Sequence, residues 1–353
     1  MIKKISKKLF MILILVSLLF VFSFSGCQTS AAEAEATAAE AEATEAEATA
    51  AEAEVVAETK DVYVWASVLI NLPLFIDAFV GMDRAEEVFG VEYKIIGPTE
   101  NDISAMISAM EAEIPLKPAG MLVVGWDAAL ADTINKVLDS GIPVVTVDAD
   151  VPASNRIGFF GTGNYSAGVE SAKRMAELID EKGEVAIAAY PTLSNVTERV
   201  RGFREYITKN YPDIKIVAEI DTQEDSSATA NAIAAVIQGN PNIKGIVGFN
   251  APAGTGICAA VRESGKEGEI AVGMMDRDEA TLDLIKDGIA TYTVVQRLAL
   301  MHYLSIELLY NYNHGNLPFE TVDNRANDIP LPVNVDTGAI IVDKSNYEYF
   351  YHK

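Results

Sequence analysis

The sequence predicts an α/β protein made of two doubly wound parallel sheets. Apolar, β-branched runs alternate with helical stretches from Asp61 onward. The runs are apolar almost throughout, rather than at every second residue, as in strands covered on both faces. The alternation completes one set of units and then restarts near Ile157, giving two successive sets. Successive βα units of this kind build open parallel sheets with helices on both sides. The chain has 353 residues, half of them hydrophobic, enough for two cores.

In the first set, the apolar runs Val62–Val68, Glu92–Ile96, Gly120–Val124 and Ile142–Val147 read as strands. Between them Pro73–Phe89, Ile103–Ile114 and Ala128–Ser140 read as helices, the last stopped by Gly141. In the second set, Ile157–Gly161 precedes a helix over Ser166–Glu181. Then follow strand Glu184–Ala189, helix Asn195–Asn210, strand Ile214–Ile220 and helix Ser226–Gln238. Strands Gly245–Val247, Ile270–Gly273 and Thr291–Val295 alternate with helices Ala251–Ser264 and Glu279–Lys286. His302–Tyr312 is a further helix and Gly338–Val342 a last strand.

The N-terminal part differs in kind. Lys3, Lys4, Lys7 and Lys8 precede an apolar run, Leu9 to Phe22, broken only by Ser17. A span of that length is short for a membrane helix and right for the core of a signal peptide. It ends in Phe24-Ser25-Gly26-Cys27, which resembles a bacterial lipoprotein box, with Phe24 where the usual pattern has Leu. The resemblance implies a signal peptide over 1–26 and acylation of Cys27. Residues 31–54 contain only Ala, Glu and Thr, with AAEAEAT repeated at Ala31–Thr37 and Ala38–Thr44. Nothing there can fill a core or a coiled-coil seam, so 27–59 reads as a charged tether.

Composition excludes several functions. Asp and Glu outnumber Lys and Arg by 51 to 27, for a net charge of −24, opposite to a phosphate-binding face. Two cysteines, Cys27 and Cys258, and three histidines cannot build a disulfide framework or a Cys/His metal centre. No metal and no cofactor is expected. A dinucleotide fold needs G-x-G-x-x-G after its first strand, and here that stretch is Ser67-Val-Leu-Ile-Asn71-Leu-Pro73. Neither a G-x-x-x-x-G-K-[ST] loop nor a G-x-S-x-G turn is present, so no enzyme is expected.

In open α/β sheets, ligands bind beyond the carboxyl ends of the strands. Asn71, Trp126, Asp148, Asp150, Asn250, Asp276 and Gln296 all stand just after predicted strands. A longer ordered set carries a family likeness: Ile142-Pro-Val-Val-Thr-Val-Asp148-Ala-Asp150, Gly161-Thr-Gly-Asn-Tyr165 with Gly168, Glu198-Arg199 with Gly202-Phe203, Phe249-Asn250, Val272-Gly273 with Asp276, and Thr293-Val-Val-Gln296. Together these segments resemble the ribose/galactose-type (type I) periplasmic sugar-binding proteins, the soluble receptors of ABC importers.

The resemblance implies two lobes joined by three hinge crossings, with a ligand enclosed between them. It places 60–162 and 297–329 in an N-terminal lobe, and 163–296 and 330–353 in a C-terminal lobe. It implies that Asp148 accepts from hydroxyls of a monosaccharide, that Arg199 donates a fork of hydrogen bonds, and that Asn250, Asp276 and Gln296 complete a polar ring. Asn71 and Phe75 lie in the matching N-terminal loop, with Leu72 and Leu74 where ribose binders carry polar and aromatic residues. Trp126 would cover a sugar face. Gly163 departs from the family's GTDNY, losing a carboxylate near the hinge. The implied partners are a small polar ligand, an ABC permease and, through Cys27, the outer face of a membrane; the implied state is a monomer.

These residue types suit a polyol, because charge-assisted bonds to hydroxyls are strong, Arg's fork is rigid, and C–H faces pack on aromatics. Each residue also has a plainer reading. Asp148 could cap a loop, and Arg199 could be an exposed cation beside Glu198 or Glu205. Asn250 and Asp276 could be helix N-caps, Phe75 and Trp65 plain core, and Cys258 a small buried hydrophobe. The cluster Tyr347, Tyr349 and Tyr351 has no assigned role. A LacI-type regulator shares the core, but needs a basic helix-turn-helix in place of the leader. A receptor for autoinducer-2 or a nucleoside, or an accessory of chemotaxis or a sensor kinase, remains compatible with the sequence.

Overall fold

The computed structural model describes residues 60–316 and 332–352. The leader, Cys27, the tether and the stretch 317–331 lie outside the described residues.

The first sheet has the order β11-β5-β4-β3-β1-β2, all parallel. Its strands are β1 (Val62–Ala66), β2 (Glu92–Ile96), β3 (Gly120–Val123), β4 (Val144–Asp148), β5 (Gly158–Gly161) and β11 (Asn334–Asp336). Helices α1 (Ile76–Phe89), α2 (Ile103–Glu113), α3 (Leu130–Asp139) and α9 (Leu298–Asn313) cover it. Alternation inside β1 splits its side chains between two cores. Tyr63 and Trp65 pack with Phe75, Met82, Met301 and Leu309, whereas Val64 and Ala66 pack with Met106, Met121 and Ile134.

The second sheet has the order β12-β10-β9-β8-β6-β7. It comprises β6 (Gly183–Ala189), β7 (Ile214–Asp221), β8 (Ile243–Gly248), β9 (Ala271–Met275), β10 (Tyr292–Gln296) and β12 (Ala339–Asp343), of which β12 alone runs antiparallel. Helices α4 (Asn164–Leu178), α5 (Ser194–Asn210), α6 (Ser226–Gly239), α7 (Ala251–Glu263) and α8 (Glu279–Lys286) flank it. Two doubly wound α/β lobes are therefore present, as the sequence predicts.

Among the described residues, three segments cross between the lobes: Gly161 to Asn164, Gln296 to Leu298, and Asp336 to Ala339. The last differs from the expected return at residue 330. Residues 334–336 pair with Phe159, Phe160 and Gly161, and so belong to the first sheet. This three-residue edge strand carries no apolar run long enough to be seen in sequence.

Asp336 also explains the unusual Gly163. Its Oδ1 accepts from the backbone N–H of Gly163 at 2.7 Å and of Gly338 at 2.8 Å, stitching the first and third crossings together. A Cβ on residue 163 would collide with the Asp336 carboxylate. The hinge carboxylate missing from position 163 is thus supplied by Asp336 from another crossing.

The C-terminal segment covers one flank of the second lobe. Tyr347, Phe350 and Tyr351 pack against its core, and Tyr351 Oη donates to Asp283 at 2.7 Å. Tyr349 is 85 % exposed.

Candidate ligand-binding site

Equivalent strands of the two sheets deliver the central carboxylates. Asp148 ends β4 and Asp276 follows β9, and each strand is fourth in its own doubly wound set. Both residues have φ of 66°. The left-handed region is costly for non-glycine residues, on the order of 1–3 kcal/mol, and such strain concentrates at functional positions. Neither aspartate caps a helix. The N-cap of α8 is Asp278, whose side chain accepts from the Thr281 N–H at 2.7 Å.

Asp148 is 4 % exposed. The Trp126 indole N–H donates to its Oδ2 at 2.9 Å, whereas Oδ1 is buried without a partner. Burial pushes its carboxyl up to about 6, against the lowering effect of Arg199 and with a raising contribution from Asp276. The Trp126 bond works with Arg199 to favour the ionised form.

Arg199 is 3 % exposed, one of the few charged side chains so deeply buried here. It sits on the inner face of α5, between the core residues Val196, Val200 and Phe203. Close packing seats it there: a Cβ on Gly168 would strike the Arg199 carbonyl, and one on Gly202 would strike the Tyr165 carbonyl. Helices α4 and α5 can touch only because both positions are glycine. Arg199 Nε donates to Asn164 Oδ1 at 2.8 Å and Nη1 to the Phe249 carbonyl at 3.2 Å. Asp276 and Asp148 oppose the effect of burial on its charge. The exposed-cation reading belongs to its neighbour instead, since Arg201 pairs with Glu198 and Glu205.

Asn250 is buried at the entrance to α7 and makes no capping bond. Its Nδ2 donates to Thr222 Oγ1 at 3.1 Å and Glu224 Oε1 at 3.0 Å, leaving Oδ1 buried and unpartnered. Gln296, at the second crossing, shows the same arrangement. Its Nε2 donates to Asp276 Oδ1 at 3.0 Å, and Oε1 is buried without a partner. Thr162 Oγ1, at the first crossing, is a further buried oxygen lacking a partner. Leaving such groups unpaired costs about 1–3 kcal/mol each, so these buried oxygens do not add to stability where they stand.

The aromatic wall is partly spoken for. Trp126 stacks on Phe75, with ring centroids 5.6 Å apart, and Phe75 meets Trp65 edge-on at 4.8 Å. Phe75 and Trp65 are wholly buried core residues. Trp65 Nε1–H donates to His302 Nε2 at 3.0 Å, and burial holds that imidazole down at about 4, hence neutral. Among the described residues, no His/Cys/Asp/Glu group could hold a metal ion. Cys258 is a buried small hydrophobe, its thiol pushed up to about 12 by burial.

Two expected site residues fall outside the cluster. Both oxygens of Asp150 are taken by Arg156, and Thr146 also donates to Oδ1 at 2.7 Å. Arg156 in turn reaches the Val333 carbonyl at 3.1 Å, so the Asp150–Arg156 pair ties the segment entering β11 to the first lobe. Asn71 is exposed in the turn before α1. Sequence reading missed Asn164, Thr162, Thr222 and Glu224. Asn164 stands inside the Gly161–Tyr165 motif already singled out, whereas Glu224 hides in an acidic loop that reads as the solvated start of α6.

The lobes also meet beside this cluster. Arg277 Nε donates to Asp77 Oδ2 on α1 at 2.6 Å, a second bond joins Nη2 to Oδ1, and Nη1 donates to the Phe350 carbonyl at 2.6 Å.

A family model described as a periplasmic binding protein domain matches residues 69–316. The chain is 26 % identical over 306 residues to a xylose/arabinose-binding protein of Sulfolobus acidocaldarius, covering 80 % of this chain and 72 % of that protein. Among solved structures, a sugar-binding protein of a sugar ABC transporter from Bacillus halodurans aligns with a TM-score of 0.79 at 34 % identity, covering 82 % of this chain and all of that one. An arabinose-binding protein from Geobacillus stearothermophilus aligns with a TM-score of 0.78 at 33 % identity, covering 83 % of this chain and all of that one.

Proposed function

The chain belongs to the periplasmic binding protein domain family, and from that premise we propose that it captures a monosaccharide between its lobes and delivers it to an ABC permease. The observation that carries this reading is the set of unpartnered buried oxygens on Asp148, Asn250 and Gln296, together with the buried guanidinium of Arg199, whose charge interacts with Asp276 and Asp148. A sugar hydroxyl donates one hydrogen bond and accepts others, so a ring of acceptors with one forked donor matches a polyol edge. Trp126 offers an aromatic surface beside it. Pentoses are the first candidates, because relatives are named for xylose and arabinose.

Sugar bound to residues of both lobes biases the hinge toward closure, and the closed form is the one a permease reads. Affinity near micromolar, roughly 8 kcal/mol, permits capture and release. Calorimetric titration with L-arabinose, D-xylose, D-ribose, D-galactose, adenosine and autoinducer-2 tests the reading. Saturable binding of a pentose is the expected result; binding of the nucleoside or autoinducer-2 alone, or of nothing, would overturn it.

Acylation of Cys27 would hold this receptor at the membrane through the Ala/Glu/Thr tether. A single acyl chain binds a bilayer weakly, so stable anchoring needs more than one. Cys27→Ser is expected to move the protein from the membrane fraction to the soluble fraction. Membrane retention of that variant would count against the anchor.

A further inference from the structure

We infer that Glu224 is a positioning residue, which fixes the sense of the Asn250 side-chain amide so that Oδ1 is the atom offered to the ligand. This rests on the reading that Asn250 meets the ligand. A terminal amide has nearly the same shape in either sense, and its partners decide which is adopted. Thr222 Oγ1, 3.1 Å from Nδ2, tolerates both senses, because a hydroxyl can accept or donate. A carboxylate only accepts, so Glu224 Oε1, 3.0 Å from Nδ2, admits one sense alone.

The loop is built to put that carboxylate there. Gln223 and Glu224 are consecutive non-glycine residues with φ of 51° and 53°, between the end of β7 and the start of α6. Asp221 Oδ1 accepts from the Gln223 N–H at 2.9 Å, and the Asp225 N–H donates to the Thr222 carbonyl at 2.9 Å. Asp225, not Glu224, caps α6, accepting from the Ala228 N–H at 2.6 Å. Glu224 is therefore not needed to start the helix, and its side chain reaches back over the loop to β8's end. Burial raises its carboxyl, whereas the Asn250 bond favours the ionised form. Asp276 performs the same service for Gln296 from within the site. Glu224 does so from the exposed rim, on an edge-strand loop where neighbouring sequence gives no hint of it.

The test compares E224A and E224Q with the unmodified protein by two readouts. The first is the Asn250 side-chain amide resonance in a ¹⁵N spectrum without sugar. The second is calorimetric affinity for L-arabinose and D-xylose. The resonance is expected to move in E224A, affinity to fall about three- to tenfold, and E224Q, whose Oε1 can accept the same bond, to recover most of both. A resonance unmoved in E224A overturns the inference, as does unchanged affinity in E224A or a loss in E224Q equal to that in E224A. If neither pentose binds the unmodified protein, the transport reading fails on that result alone, and the resonance still decides the Glu224–Asn250 contact.

Discussion

Replacing Arg199 with alanine is expected to weaken sugar binding at least tenfold while leaving the fold in place. The guanidinium interacts with the charges of both Asp276 and Asp148, and it is 3 % exposed. Its loss removes the forked donor from a ring otherwise made of acceptors. It also leaves Asn164 Oδ1 and the Phe249 carbonyl without their donor, at about 1–3 kcal/mol each. The two carboxylates lose their counter-charge, so Asp148 is driven further toward its protonated form and becomes a poorer acceptor. Arg199→Lys keeps the charge and loses the fork, so its affinity should fall between the two. Titration calorimetry gives the affinities and far-UV circular dichroism the state of the fold. A folded Arg199→Ala protein with unchanged affinity would remove Arg199 from the site.

Binding should also weaken about tenfold between pH 7 and pH 5, because the Asp148 carboxyl of the free protein titrates at about 6. A hydroxyl donor bound to the ionised carboxylate favours that form, so ligand competes with protons across this window. Stability of the free protein moves the other way. The native carboxyl sits above its ordinary 3.8, so the folded state holds a proton that the unfolded state has released. This contribution is fully present below pH 3.8 and is lost as pH rises through about 6; its size is on the order of 3 kcal/mol. Asp148→Asn cannot titrate, and should flatten its share of both profiles while binding more weakly at pH 7. Glu224 is also raised by burial, so the comparison with Asp148→Asn isolates the inner carboxylate. Affinity independent of pH between 5 and 7 in the unmodified protein would refute the assignment.

Arg199 shows how far a motif can be read. Its place in Glu198-Arg199 with Gly202-Phe203 marked it, but the same letters would fit a solvated cation on a helix surface. The glycine contact between α4 and α5 turns Arg199, and not Arg201, toward the carboxylates. Asp150 is the converse case. Its position two residues beyond Asp148 put it on the same strand-end rim, and Arg156, six residues further on, pairs with it there.

The sequence by itself determined the two lobes, because unbroken apolar strands alternating with helices have one economical packing, a parallel sheet covered on both faces. It also marked Asp148, Asp276, Asn250 and Gln296, since strand ends in such sheets converge on one rim. Only the tertiary structure decided which atoms of those residues stay free. Partners distant in the chain make that choice: Trp126 for Asp148, Glu224 for Asn250, Asp276 for Gln296, and Asp336 for the hinge at Gly163. A hydrogen-bond donor is assigned by what lies within about 3 Å of it, and no local pattern of residues encodes a neighbour brought from another strand.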